Sequence, residues 1–217
     1  MQIIKCSYNP IVPKNDKQKY YIENLRKQNP NIVVASGTAG SGKTLLATNI
    51  GAEKLINGEY TKIVLTRPTV PVGDDIGFLP GTLAQKMEPW IRPLHDSLSS
   101  VYSTSKIEKM MDENIIEIVP LTYMRGRTFN NAWIICDEAQ NTTIDQMLMV
   151  LTRIGENSKM IITGDPQQHD RFFDTNGLID LIQKLNLIEN NYFKVIEFDE
   201  NDVQRHPAIP SIVNMYK

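Results

Sequence analysis

Cysteine is scarce in this chain: Cys6 and Cys136 are the two present among 217 residues. They stand too far apart for a metal-ligand motif and are too few for a disulfide framework, which fits a reducing compartment. The three histidines, His95, His169 and His206, are scattered and suggest no zinc site. No apolar run approaches the ~18 residues that a membrane span needs. The opening Met-Gln-Ile-Ile-Lys-Cys-Ser carries neither a long apolar stretch nor a cleavage signal. The expected setting is therefore the cytoplasm, with no membrane partner. Neither charge sign dominates: 23 Lys+Arg face 25 Asp+Glu, for a net charge of -2. That excludes a histone-like polycation but leaves room for a local basic patch. Residues 1–30 offer one candidate, with six Lys+Arg against two acids, which is either a phosphate contact or a solvated face. No repeat and no low-complexity tract is visible.

What is present is a rhythm. Short β-branched runs at 32–36, 62–66, 115–119, 132–136 and 159–163 read as strands covered on both faces. A sixth, 193–198, alternates more and suits a sheet edge. Helical patterns lie between them. Leu46, Ile50 and Leu55 follow Lys43 on one face. Ile144, Met147, Leu148, Leu151 and Ile154 form a stripe expected to pack into the core, as do Leu178, Leu181, Ile182 and Leu185. Strands alternating with helices imply an α/β fold with a parallel core sheet and helices on both faces. Residues 68–100 interrupt the rhythm with five prolines and three glycines yet keep apolar side chains, so an ordered insertion is expected rather than a linker. No boundary divides the chain, and 1–217 reads as one domain.

Three motifs carry chemistry. Gly37-Thr38-Ala39-Gly40-Ser41-Gly42-Lys43-Thr44 is a complete GxxxxGK[ST] P-loop between an expected strand and an expected helix. Such a loop turns backbone N–H groups onto phosphates at a helix N-terminus. Lys43 reaches the β/γ-phosphates of ATP and the Thr44 hydroxyl binds Mg²⁺. Asp137-Glu138 ends a second buried strand. Ligands bind at the carboxyl ends of parallel strands, so Asp137 is expected to hold Mg²⁺ through water and Glu138 to polarise the attacking water. A water-activating carboxylate favours a hydrolase over a kinase. Gly164-Asp165-Pro166-Gln167-Gln168 follows the next strand, and it puts Thr163 and Gln168 near the γ-phosphate if that strand lies beside the P-loop strand.

In this order, the three motifs resemble the first RecA-like domain of superfamily 1 helicases. More narrowly, the chain from about residue 10 onward resembles the PhoH family of ATPases. That resemblance rests on Asn15, Gln18 and Tyr20, the P-loop, Arg67-Pro68, Gly77-Phe78-Leu79-Pro80-Gly81, Pro120-Leu121, Met124-Arg125-Gly126-Arg127-Thr128-Phe129, Asp137-Glu138-Ala139-Gln140-Asn141, Gln146-Met147, Leu151-Thr152-Arg153 and Asp202-Val203-Gln204-Arg205-His206. It implies further roles. Gln18 is placed like a glutamine that reads adenine, the alternative being a surface glutamine. Thr66-Arg67 falls where helicases contact the nucleic-acid backbone. Arg125 and Arg127 precede the Asp-Glu strand, and Arg205 is placed like an arginine that contacts the γ-phosphate. Each arginine could instead form a structural ion pair.

The resulting expectation is a Mg²⁺-dependent ATPase coupled to RNA or single-stranded DNA. Its rival is an ATP-driven switch or assembly protein without a nucleic-acid track, and a small-molecule kinase fits less well. After Gln168 only 49 residues follow, too few for a second RecA-like domain. An arginine lent by a neighbouring subunit would complete the site, which points to a homo-oligomeric ring, a hexamer by preference.

Overall fold

A computed structural model gives the fold and describes residues 10–68, 95–168 and 176–204, together with 92, 208 and 215. Its elements follow in chain order as α1 (Asp16–Arg26), β1 (Ile32–Gly37), α2 (Lys43–Ile56), β2 (Lys62–Thr66), α3 (Thr104–Asp112), β3 (Ile116–Ile118), β4 (Ala132–Cys136), α4 (Ile144–Leu151), β5 (Lys159–Gly164), α5 (Gly177–Leu187) and β6 (Phe193–Phe198). The six strands form one sheet in the order β3-β2-β4-β5-β1-β6, and every pairing is parallel.

Strand side chains alternate between faces, and the core divides accordingly. Val33 and Ala35 of β1, Ile63 and Leu65 of β2, Trp133 and Ile135 of β4 and Ile161 of β5 pack with Tyr21, Leu25, Leu46, Ile50 and Ile107 from α1, α2 and α3. Val34, Val64, Ile134, Cys136, Met160 and Ile162 pack on the other face with Met147 and Val150 of α4 and Leu178 and Leu181 of α5. Trp133 is the largest fully buried side chain among the described residues; its indole N–H donates to the Ala47 carbonyl at 3.1 Å, and Gly51 of α2 makes room for its ring. This is the RecA-like α/β arrangement expected, with the P-loop following an interior strand.

Two expectations are corrected. β3 is not covered on both faces: it is an edge strand of three residues, with Ile116 buried and Glu117 half-buried. Burial raises the Glu117 pKa, but the Arg127 guanidinium and the Lys62 ammonium outweigh it and hold the carboxyl below its ordinary value. The stripe Ile144, Met147, Leu148, Leu151 and Ile154 is corrected in part: Met147 is buried and Leu151 and Ile154 pack against the core, but Ile144 is 40% and Leu148 61% exposed, and Val150 is buried beside Met147 instead. The helix is apolar almost all round, so periodicity alone could not choose its buried side. The insertion at 68–100, apart from Pro68, residue 92 and 95–100, lies outside the described residues, as do Arg205, His169, His206 and residues 1–9.

Candidate functional site

The carboxyl end of the sheet builds a cleft of about 270 Å³ lined by Ala39, Gly40, Gly42, Lys43, Thr44, Leu45, Asp137, Glu138, Gly164, Asp165 and Gln168. Its floor is the P-loop. Gly37 leaves β1 at φ +118, and a Cβ there would stand 1.8 Å from the Phe198 carbonyl of β6, so only glycine fits. Gly42 caps α2 in the left-handed conformation without a side-chain cap, and no acidic residue occupies the first turn. The helix end is thus suited to an anion. Lys43 is buried and lies across the loop, its Nζ donating to the carbonyls of Gly37 (2.6 Å) and Thr38 (2.9 Å).

Beside it, the Thr44 hydroxyl donates to Asp137 Oδ1 at 2.7 Å, and the Thr163 hydroxyl donates to the same oxygen at 2.6 Å. β5 pairs directly with β1, with Thr163 opposite Ala35, which is why a residue of the neighbouring strand reaches this point. Among the described residues no cluster of three His, Cys, Asp or Glu side chains could hold a metal by itself. The donors here are hydroxyls and a carboxylate, a hard-oxygen set that fits Mg²⁺ bound jointly with substrate phosphates. Cys136, one residue away, is fully buried, and burial with the Asp137 charge pushes its thiol up to about 12, so it is a core side chain and no nucleophile.

Glu138 has an unusual backbone. Among the described residues four non-glycines have positive φ; three are asparagines, which tolerate it, and the fourth is Glu138 at φ 53. Strain of this kind persists only where neighbours impose it. Glu138 Oε1 pairs with Arg67 at 3.1 Å, and Oε2 accepts from Gln140 Nε2 at 2.5 Å. Gln140 is buried, and its own Oε1 accepts from the Asp165 N–H at 3.1 Å. Asp165 Oδ2 in turn accepts from the Ala39 N–H of the P-loop at 3.0 Å. A continuous run of hydrogen bonds therefore joins Glu138, Gln140, Asp165 and the P-loop. Sequence reading gave no role to Gln140 or Asp165, although both stand inside the motifs that it singled out.

Similarity to known proteins fits this geometry. The family profile described as PhoH-like protein matches residues 10–217. The chain belongs to the PhoH family. It is 45% identical to the PhoH-like protein of Bacillus subtilis, covering all of this chain and 70% of that one, and 36% identical to Protein PhoH of Escherichia coli K12, covering 96% of this chain and 58% of that one. It thus spans 58–70% of the length of these curated relatives. Among solved structures, a Pif1 helicase from Candida albicans aligns over 94% of this chain and 43% of its own at 14% identity, with a TM-score of 0.44.

Several residues of the PhoH resemblance brace the loop from below. Gln18 is buried, donates from Nε2 to the Ser41 carbonyl at 2.9 Å and accepts the Lys14 N–H at 2.8 Å. An adenine-reading role would draw on the second N–H and second lone pair that these bonds leave. Asn15 caps α1 and donates to Asp202 at 3.1 Å, and the Gln204 N–H donates to the Gly40 carbonyl at 3.0 Å. Tyr21 packs edge-on to Phe198 beneath the same loop; burial, with the Asp137 charge adding, raises its pKa well above the ordinary value.

Arg125 and Arg127 are not gathered into the cleft. Arg127 pairs with Glu117 of β3 at 2.6 Å and lies over the Phe129 ring at 4.6 Å. β3 is four strand spacings from β1, about 19 Å of sheet, so Arg127 stands far from its own P-loop. Arg125 is exposed. Arg67, expected to contact nucleic acid, is held beside Glu138 instead of projecting alone. No helix among the described residues is long and apolar enough to cross a membrane.

Proposed function

We propose that this chain is a Mg²⁺-dependent ATPase whose hydrolysis is coupled to RNA or single-stranded DNA. The observation that carries it is the meeting of Lys43, Thr44, Asp137 and the left-handed Glu138 in one cleft at the carboxyl end of the sheet. Lys43 exchanges its carbonyl contacts for the β/γ-phosphates of ATP. Thr44 and Asp137 are the residues that would hold Mg²⁺, which when bound neutralises charge developing on the phosphate oxygens. Glu138 accepts the proton of the attacking water. Gln168, exposed at the cleft rim, contacts the γ-phosphate side. The remote position of Arg127 and the exposure of Arg125 support an arginine acting in a neighbouring subunit, as in a ring; because Arg127 is already engaged by Glu117, Arg125 is the better donor.

The test is the ATPase rate with and without single-stranded RNA and DNA across a salt series. Stimulation that weakens linearly on a log–log salt plot, through counterion release from phosphates, supports the reading. ATP hydrolysis indifferent to either strand at low salt favours a nucleotide-driven switch. No hydrolysis under any condition overturns the ATPase assignment.

A further inference from the structure

Glu138 is held from two sides, and the two holders differ in kind. Gln140 is a fixed arm: it is 1% exposed and pinned at its other end by the Asp165 N–H. Arg67 is partly exposed, with about a quarter of its side chain open to solvent, and it follows β2 where the Asp137 N–H donates to the Thr66 carbonyl at 2.9 Å. That bond continues the β2–β4 ladder one step past the register of Thr66 with Cys136, and so sets Arg67 beside the turn that carries Glu138.

We infer that Arg67 is a positioning residue that restrains Glu138 at rest, and that the phosphodiester backbone of a single strand releases the carboxylate by taking over the guanidinium. The inference rests on the nucleic-acid reading of the preceding subsection and adds its regulation. With Arg67 on Oε1 and Gln140 on Oε2, each carboxylate oxygen already accepts a charge-assisted or short hydrogen bond. With both oxygens engaged, neither is turned to an attacking water, and a water-activating base must offer one. A guanidinium forks onto phosphate as well as onto carboxylate, and a polyanionic strand lying along the rim offers Arg67 a repeating set of such acceptors. Removing that arm leaves Glu138 held by Gln140 alone, with Oε1 turned over to the water. Phosphate contact and hydrolysis become linked through one side chain, and the linkage is specific to the carboxyl ends of β2 and β4, which adjoin only because of the sheet order.

The experiment compares steady-state ATP hydrolysis by wild type, Arg67→Ala and Arg67→Lys, each with and without oligo-U and oligo-dT. Arg67→Gln serves in place of the alanine variant if thermal unfolding shows that the latter is not folded. The expected result is a basal kcat raised about tenfold in Arg67→Ala, equivalent to ~1.4 kcal/mol, with KM for ATP unchanged and no further stimulation by either oligonucleotide. Arg67→Lys, which keeps the charge but not the planar fork, should raise the basal rate by less than Arg67→Ala. A residue that merely supports the fold would not raise kcat. A basal kcat at or below wild type in Arg67→Ala overturns the restraint. A raised basal kcat in Arg67→Ala, with wild type unmoved by either oligonucleotide, overturns the nucleic-acid reading and the strand as the releasing agent. Stimulation by one oligonucleotide and not the other identifies the strand chemistry that opens the pair.

Discussion

Replacing Gln140 tests how the candidate site is held. Its amide joins Glu138 to the loop after β5, accepting from a buried backbone N–H and donating to a carboxylate. In Gln140→Ala the Asp165 N–H loses its acceptor, which costs about 1–3 kcal/mol, and the bond to the Glu138 carboxylate is lost as well. Together with the side-chain volume removed, the expected destabilisation is ~2–4 kcal/mol. Gln140→Glu separates the two functions. It keeps an oxygen for the Asp165 N–H, so stability should fall by less, but it sets a second carboxylate against Glu138 where an amide donor stood 2.5 Å away. Like charges relaxed to about 4 Å still repel by ~4 kcal/mol at an effective dielectric of 20, enough to displace Glu138 from its place. The expected kcat for ATP falls about 10²–10³-fold. Nucleotide affinity stays close to wild type, since Lys43 and Thr44 are untouched. Urea unfolding, a fluorescent-ATP titration and steady-state hydrolysis read these three quantities separately. Hydrolysis by Gln140→Glu at the wild-type rate would refute the claim that Gln140 positions Glu138.

Other consequences follow from particular contacts. The Lys159 ammonium is buried and donates to the carbonyls of Asn24, Lys27 and Pro30 at 2.7–3.0 Å, and burial, with the Lys54 charge adding, pushes its pKa from 10.5 down to about 8. The unfolded chain then binds more protons than the folded one between those values, so this group's contribution rises with pH there, by up to ~3 kcal/mol. The stability difference between wild type and Lys159→Met should shift toward wild type from pH 8 to 10.5; a difference flat with pH contradicts this. Gly51→Ala would put a methyl 2.5 Å from Trp133 Cδ1, and should cost ~1–3 kcal/mol in thermal unfolding through overpacking; an unchanged Tm contradicts the packing described. Mixing Lys43→Ala subunits with Arg125→Ala subunits, each inactive alone, should restore part of the ATPase activity if Arg125 acts across an interface. No recovery in mixed assemblies removes Arg125 from that role.

Much of the framework was readable from the chain itself. The six apolar runs became six strands to within one or two residues, because β-branched clusters between helical patterns leave few alternatives, and the more alternating run, 193–198, lies at an edge. The P-loop was equally plain as a motif, since its internal spacing is the one that cradling a phosphate requires. What escaped depended on sheet order and on choices that periodicity cannot make. Arg67 and Glu138 are far apart in sequence, and they meet only because β2 and β4 are neighbours. Gln140 and Asp165 have no signature other than membership of a motif, because their work is done through hydrogen bonds to backbone and to each other's loops. On α4, Leu148 and Met147 are equally apolar, and the docking of α5 decides which is buried. The pairing of Arg127 with Glu117 was not legible either, because it depends on β3 forming the sheet edge.

The most direct test of the central claim is a single-turnover measurement on Glu138→Gln beside wild type, with nucleotide binding measured on the same preparations. If the left-handed carboxylate at the end of β4 activates water, the variant keeps ATP affinity, because Lys43 and the P-loop are intact, and loses the hydrolytic step by about 10²-fold or more. Hydrolysis by Glu138→Gln at the wild-type rate, with ATP bound normally, would contradict the account.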